Sequence, residues 1–132
     1  MGAAQRVLSS GYFVLGSEVE SFERLFARYC GVEHCVSTGN GTDALELAMR
    51  ALDLPAHSGI ALVANAGFYS SIAALGAGLQ PVYVDVDDDS LLMDLEALAR
   101  VPAADIKVVV ATHLFGRMLD MDRLTRLCQL RG

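Results

Sequence analysis

What this sequence lacks narrows it quickly. Lys107 is its only lysine, and the net charge is −6. Gripping a nucleic-acid backbone or an anionic membrane surface needs clustered positive charge, so neither is expected as a partner. Hydrophobic residues make up 53% of the chain, yet no apolar run reaches the roughly 18 residues of a membrane-spanning helix. The amino terminus has Arg6 but no long apolar stretch and no cleavage site, so no signal peptide is read and a cytoplasmic protein is expected. None of the cysteines (Cys30, Cys35, Cys128) forms a C-x-x-C pair. Their odd number and irregular spacing point to reduced, buried thiols. Cys30, His34, Cys35 and His113 match no zinc spacing, and His34 and Cys35 would face opposite sides of a strand, so no metal site is expected. Repeats and low-complexity segments are absent too. At 132 residues the chain suffices for one domain with a real core.

What is present is organised around Cys35-Val-Ser-Thr-Gly-Asn-Gly-Thr42 and the helix-like run Asp43 to Leu52. A short apolar run enters a glycine turn, and an amphipathic helix leaves it. Gly39 and Gly41 would allow positive φ and the close approach of a ligand. The first amides of the helix have no intrahelical acceptor, and the helix dipole adds positive character there. A phosphate suits such a place. The plain alternative is a strand-to-helix turn with Thr42 as N-cap.

The remainder alternates strand and helix. Residues 1–10 read as a short helix or arm. Ser17-Glu-Val-Glu20 reads as a capping box, opening a helix over 17–29 with Val19, Phe22, Leu25 or Phe26, and Tyr29 on one face. Gly31 ends it. Strands are expected at 60–64, 81–85 and 106–112, the first an unbroken apolar run typical of a sheet covered on both faces. Helices are expected at 71–77, between Asp94 and Arg100, and over 121–130 after Asp120. The pattern predicts a three-layer α/β/α fold with a mostly parallel sheet. Ligands bind such sheets at the carboxyl ends of the strands, which selects the turns 38–42, 65–69 and 112–116. The acidic loop 85–89 misses the calcium-loop spacing and reads as solvated. His113, with no pairing partner in view, reads as structural.

Gly39-x-Gly41-x-x-Ala44 also satisfies the dinucleotide fingerprint, making an NAD(P)-binding Rossmann-like module the rival. That fingerprint expects an acid at the end of the next strand, where this chain has Ala64-Asn65-Ala66. Five motifs together tell more: Gly16-Ser-Glu-Val-Glu-Ser-Phe22-Glu, Gly39-Asn-Gly-Thr-Asp-Ala-Leu-Glu46, Phe68-Tyr-Ser-Ser71, Pro81-Val-Tyr-Val-Asp-Val-Asp87 and His113-Leu-Phe-Gly116. In order and spacing, from about Leu8 to Leu127, the chain resembles the amino-terminal part of the DegT/StrS-type sugar aminotransferases. These enzymes use pyridoxal 5'-phosphate on the aspartate aminotransferase fold.

The resemblance implies a cofactor-phosphate site on the backbone at Gly41 and Thr42, with Asn40 assisting, and an aromatic ring, Phe68, over the pyridine. Many members carry threonine before that aromatic, where this chain has Gly67. It implies that residues 1–132 are the amino-terminal part of the cofactor-binding large domain, with 1–30 an arm and helix and 31–132 the α/β units. The family sheet has seven strands in the order 3-2-4-5-6-7-1. This chain would supply about four, and its first strand would lack its only neighbour. The Schiff-base lysine and the acid facing the pyridine nitrogen lie downstream in the family, so no catalytic residue is assigned here. Lys107 cannot stand in, being at the start of a strand. The implied activity is amino transfer from glutamate or glutamine to a nucleotide-linked keto-sugar, in polysaccharide or antibiotic-sugar biosynthesis, by a homodimer. These 132 residues alone are expected to be inactive; a non-catalytic remnant of the same fold is the other possibility.

Overall fold

The computed structural model describes residues 2–131. They divide into two compact units, residues 1–39 and 40–132.

The first unit holds two helices, α1 (Ala3–Ser10) and α2 (Ser17–Cys30). Arg6 bridges them, its Nε and Nη2 donating to the two carboxylate oxygens of Glu18 at 2.5 and 3.0 Å. The expected capping box does not form. Gly16 is the N-cap of α2, and its carbonyl accepts from Val19 and Glu20. Ser17 is therefore already inside the helix, where its hydroxyl cannot reach an orphan amide. The carboxyl end follows expectation: Gly31 takes φ +70, and the Val32 amide returns to the Ala27 carbonyl at 3.0 Å, closing the helix by a Schellman bond. Phe22 and Phe26 stack with centroids 5.4 Å apart, and Tyr29 follows at 6.1 Å. This is the apolar face the spacing foretold, but Phe22, Leu25, Phe26 and Tyr29 are exposed, and Ala27 is the buried residue of the helix.

Residues 32–38 form no strand, contrary to expectation. Nothing among the described residues pairs with them, and extended backbone without a ladder partner is not a strand. Instead the Ser37 amide donates to Glu23 Oε1 at 2.7 Å. The cysteines also differ from expectation. All are free, but Cys30 and Cys128 are exposed and Cys35 is half-buried.

The second unit contains α3 (Gly41–Arg50), β1 (Gly59–Val63), α4 (Tyr69–Gly76), β2 (Gln80–Val84), α5 (Leu95–Arg100), β3 (Val108–Val109) and α6 (Met121–Arg131), with a short 3₁₀ turn at Ala103–Asp105. Its sheet is parallel, in the order β2-β1-β3, which matches the segment 3-2-4 of the order the resemblance implies. Alternation along β1 divides the core. Ile60 and Leu62 pack with Met49 of α3, Ala73 and Ala74 of α4, and Leu79. Ala61 and Val63 pack with Val84, with Leu95 and Leu98 of α5, and with Leu124 of α6. Two helices thus cover each face, giving the expected three layers. Helix α4 lies tight on the sheet because its inward positions are Ser70, Ser71, Ala73 and Ala74, all buried. Strand β3 is shorter than expected. It is held by Lys107 N to the Gly59 carbonyl and Val110 N to the Ala61 carbonyl, and no described strand lies on its outer side.

Candidate functional site

The carboxyl ends of β1 and β2 open into turns that are tied together. Asn65, just beyond β1, donates through Nδ2 to the Leu91 carbonyl at 2.9 Å. The acidic stretch 85–89 is solvated as expected, with Asp85, Asp87, Asp88 and Asp89 exposed, and it is also tied by local hydrogen bonds. Asp85 Oδ1 accepts from the Val86 amide, Asp87 Oδ1 accepts from the Ser90 amide at 2.8 Å, and Val86 bridges Met93. The Ser90 amide, then its hydroxyl, hold the Asp87 carboxyl below the usual carboxylate range. On the next turn, His113 Nδ1 accepts from the Leu119 amide at 3.1 Å. That bond puts the ring proton on Nε2 and gives His113 a structural task, holding residues 113–119.

At the start of α3 the N-cap is Asn40, not Thr42. Its Oδ1 accepts from the Asp43 amide and its Nδ2 donates to Asp43 Oδ2, both at 2.9 Å. Its carbonyl accepts from the Ala44 amide. The helix begins two residues earlier than its apolar spacing suggests, because Asn is a better cap than the threonine after it. Gly41 therefore has helical backbone rather than the positive φ expected. Its α-carbon faces open space, with nothing within 4 Å of where a Cβ would stand. Two amides remain: among the described residues neither Gly41 N nor Thr42 N has an acceptor.

These residues border an open pocket of about 430 Å³, walled by Asn40, Gly41, Thr42, Leu45 and Tyr69. Phe68 is not among the lining residues. It is 60% exposed and has left-handed backbone, φ +69, directly after Gly67 at φ +75. Its carbonyl receives the Ile72 amide at 3.0 Å as α4 begins. Tyr69, not singled out in the sequence, stands at the pocket instead. The signal for it was present: two adjacent aromatics after a glycine, with no period to say which one faces the turn. Lys107 lies at the other end of the sheet, bonded through its amide to Gly59 at the start of β1.

By layers and strand order, the second unit is a three-layer α/β domain of the kind that receives ligands at the carboxyl ends of its strands. The whole chain belongs to the DegT/DnrJ/EryC1/StrS aminotransferase family, whose model matches residues 1–132, in line with the five motifs. One relative is the dTDP-3-amino-3,4,6-trideoxy-alpha-D-glucose transaminase of Micromonospora megalomicea subsp. nigra, 36% identical over 100% of this chain and 35% of the relative. Among solved structures, S. venezuelae DesV superposes with a TM-score of 0.89 at 33% identity, covering 97% of this chain and 34% of DesV. The E. coli GDP-4-keto-6-deoxy-D-mannose-3-dehydratase, solved with bound hydrated PLP, gives 0.86 at 25% identity over 95% of this chain and 34% of its own. The chain thus spans about a third of the length of the relatives it matches. No helix among the described residues is long and apolar enough to cross a membrane.

Proposed function

We propose that this chain is the cofactor-phosphate portion of a pyridoxal-phosphate-dependent aminotransferase acting on a nucleotide-linked keto-sugar, with glutamate or glutamine as donor, and that the intact protein is a homodimer. The observation that carries the proposal is the pair of unpaired amides at Gly41 and Thr42, opening on a pocket in a chain of this family. The fit to a phosphate is chemical. Two N–H groups at the positive end of a ten-residue helix face outward with no acceptor, and a phosphate dianion supplies several. Asn40 fixes the turn by capping Asp43, and the Phe68–Tyr69 pair offers an aromatic face to the ring. When bound, pyridoxal phosphate supplies an electron sink for the amino donor's α-carbon; the residues named here bind and orient it.

That chemistry also needs a lysine at the cofactor, and Lys107 is at the wrong end of the sheet. We therefore expect the purified 132-residue chain, given pyridoxal phosphate, glutamate and a dTDP-linked keto-sugar, to show no transamination. It should nonetheless bind pyridoxamine 5'-phosphate at least about 10-fold more tightly than pyridoxamine, the difference that roughly 1.4 kcal/mol of phosphate contact produces. Equal binding of the two amines would contradict the phosphate site, and turnover would contradict the role given to a lysine elsewhere.

A further inference from the structure

Helices α3 and α4 run side by side in the same direction, and their far ends touch at a point outside the pocket. Their starts share that pocket, which Gly41 and Thr42 border with Tyr69. Their ends meet where Arg50, the last residue of α3, reaches Gly76, the last of α4. Arg50 Nε donates to Glu46 Oε1 at 2.8 Å, and its Nη2 donates to the Gly76 carbonyl. Among the described residues no amide takes that carbonyl, since those of Ala77, Gly78 and Leu79 close on Ala73, Leu75 and Ala74. Gly76 has ordinary helical backbone, so its conformation does not call for glycine, and inside a helix glycine is less favourable than alanine. Space does call for it. A Cβ there would stand 2.5 Å from Glu46 Oε2 and 2.8 Å from Cδ. Glycine at 76 thus lets the Glu46 carboxylate lie against α4 and hold Arg50 over its end.

Parallel helices set like poles beside like poles, an arrangement that a counter-charge at each end stabilises. At the carboxyl ends Arg50 serves both helices, since α4 has no basic residue in its own last turn. The apolar contact between them is smooth, Ala73 and Ala74 against Met49, and shallow ridges interlock weakly. Sliding by one residue is about 1.5 Å, enough to carry the start of α4 away from an anion held at the start of α3. We propose that Arg50, seated by Glu46 against Gly76, is a positioning residue that locks α3 and α4 in the register bringing both helix starts onto one bound phosphate. The proposal rests on the phosphate reading of the α3 turn, and its test separates the two.

Inorganic phosphate is titrated into the ¹⁵N-labelled chain at about 0.15 M salt, where the Debye length is about 8 Å. Arg50 lies roughly 15 Å along α3 from Gly41, so its charge alone reaches the site weakly. Kd is read at the Gly41 and Thr42 amides for the unsubstituted chain, Arg50→Leu and Gly76→Ala, with the melting temperature of each. Gly76→Ala keeps every charge but pushes the Glu46 carboxylate aside. It should weaken phosphate about 2- to 5-fold, the share of one helix end. Its melting temperature should stay level or rise, because the helix preference of alanine offsets the loss of an exposed ion pair. Arg50→Leu should weaken phosphate to the same degree. An unchanged Kd in both variants overturns the clamp while the phosphate site stands. A loss confined to one variant overturns it as well, as does a loss in Gly76→Ala that comes with a lower melting temperature. Failure of the unsubstituted chain to bind phosphate overturns both readings.

Discussion

Asp87 illustrates how one side chain organises a loop that composition alone presents as a run of acids. Its carboxylate receives the Ser90 amide, and its own amide and carbonyl bond Leu92 and Leu91. Because the Ser90 contacts hold its folded value below the ordinary one, the stabilisation is present above the ordinary carboxylate value of about 4. It fades as pH falls through the lower folded value. The expected outcome for Asp87→Asn is a lower melting temperature near neutral pH and a gap to the parent that closes on acidification; a gap independent of pH would contradict it. At the pocket, the same scale shows what the sequence could and could not tell. Asn40, Gly41 and Thr42 were legible because capping residues and glycines announce a helix start. Whether Asn40 or Thr42 caps was not, since both side chains can accept an amide and the choice depends on where the turn leaves the helix. Tyr69 was illegible because its orientation follows from two consecutive left-handed residues, one of them a phenylalanine that ordinarily avoids that region.

At the scale of elements, the strongest constraint lies on the side of the sheet away from the pocket. Gly59 opens β1 beside the 3₁₀ turn, and a Cβ there would land on the Asp105 carbonyl oxygen, with Val82 Cγ2 at 3.3 Å. Backbone cannot yield as a side-chain tip can. We therefore expect Gly59→Ala to destabilise the chain by about 3 kcal/mol, the upper part of the usual overpacking range, read as a shift in the urea midpoint without a change in slope. A loss under about 0.5 kcal/mol would show that the turn is not held where described. Elements buried on both sides were read well. The apolar run at 60–64 became β1, which spans Gly59–Val63 and is buried from Ile60 to Val63, and Asp94 and Asp120 cap α5 and α6 as expected. The failures share a cause. The strand expected near Cys35, the full length of β3 and the covered face of α2 each need a partner element, and local sequence can announce an element without supplying what pairs with it. The Ser17 box failed on a finer point, a one-residue difference in where α2 starts.

At the scale of the molecule, two cores on opposite faces of a three-stranded parallel sheet hold the starts of α3 and α4 beside one pocket. The sheet has no described strand outside β2 or β3, and the exposed aromatics of α2 lie in the other unit. Family, layers and strand order agree, so the central claim reduces to the electrostatics of one turn: backbone N–H groups at Gly41 and Thr42 with a dianion as their natural acceptor. Amide-resolved NMR of the ¹⁵N-labelled chain titrated with inorganic phosphate tests this most directly. The Gly41 and Thr42 resonances should move downfield in a saturable way, more than any other amide, while the already bonded Asp43 and Ala44 amides move little. Resonances at 41 and 42 that stay still while phosphate binds elsewhere, or not at all, would contradict it.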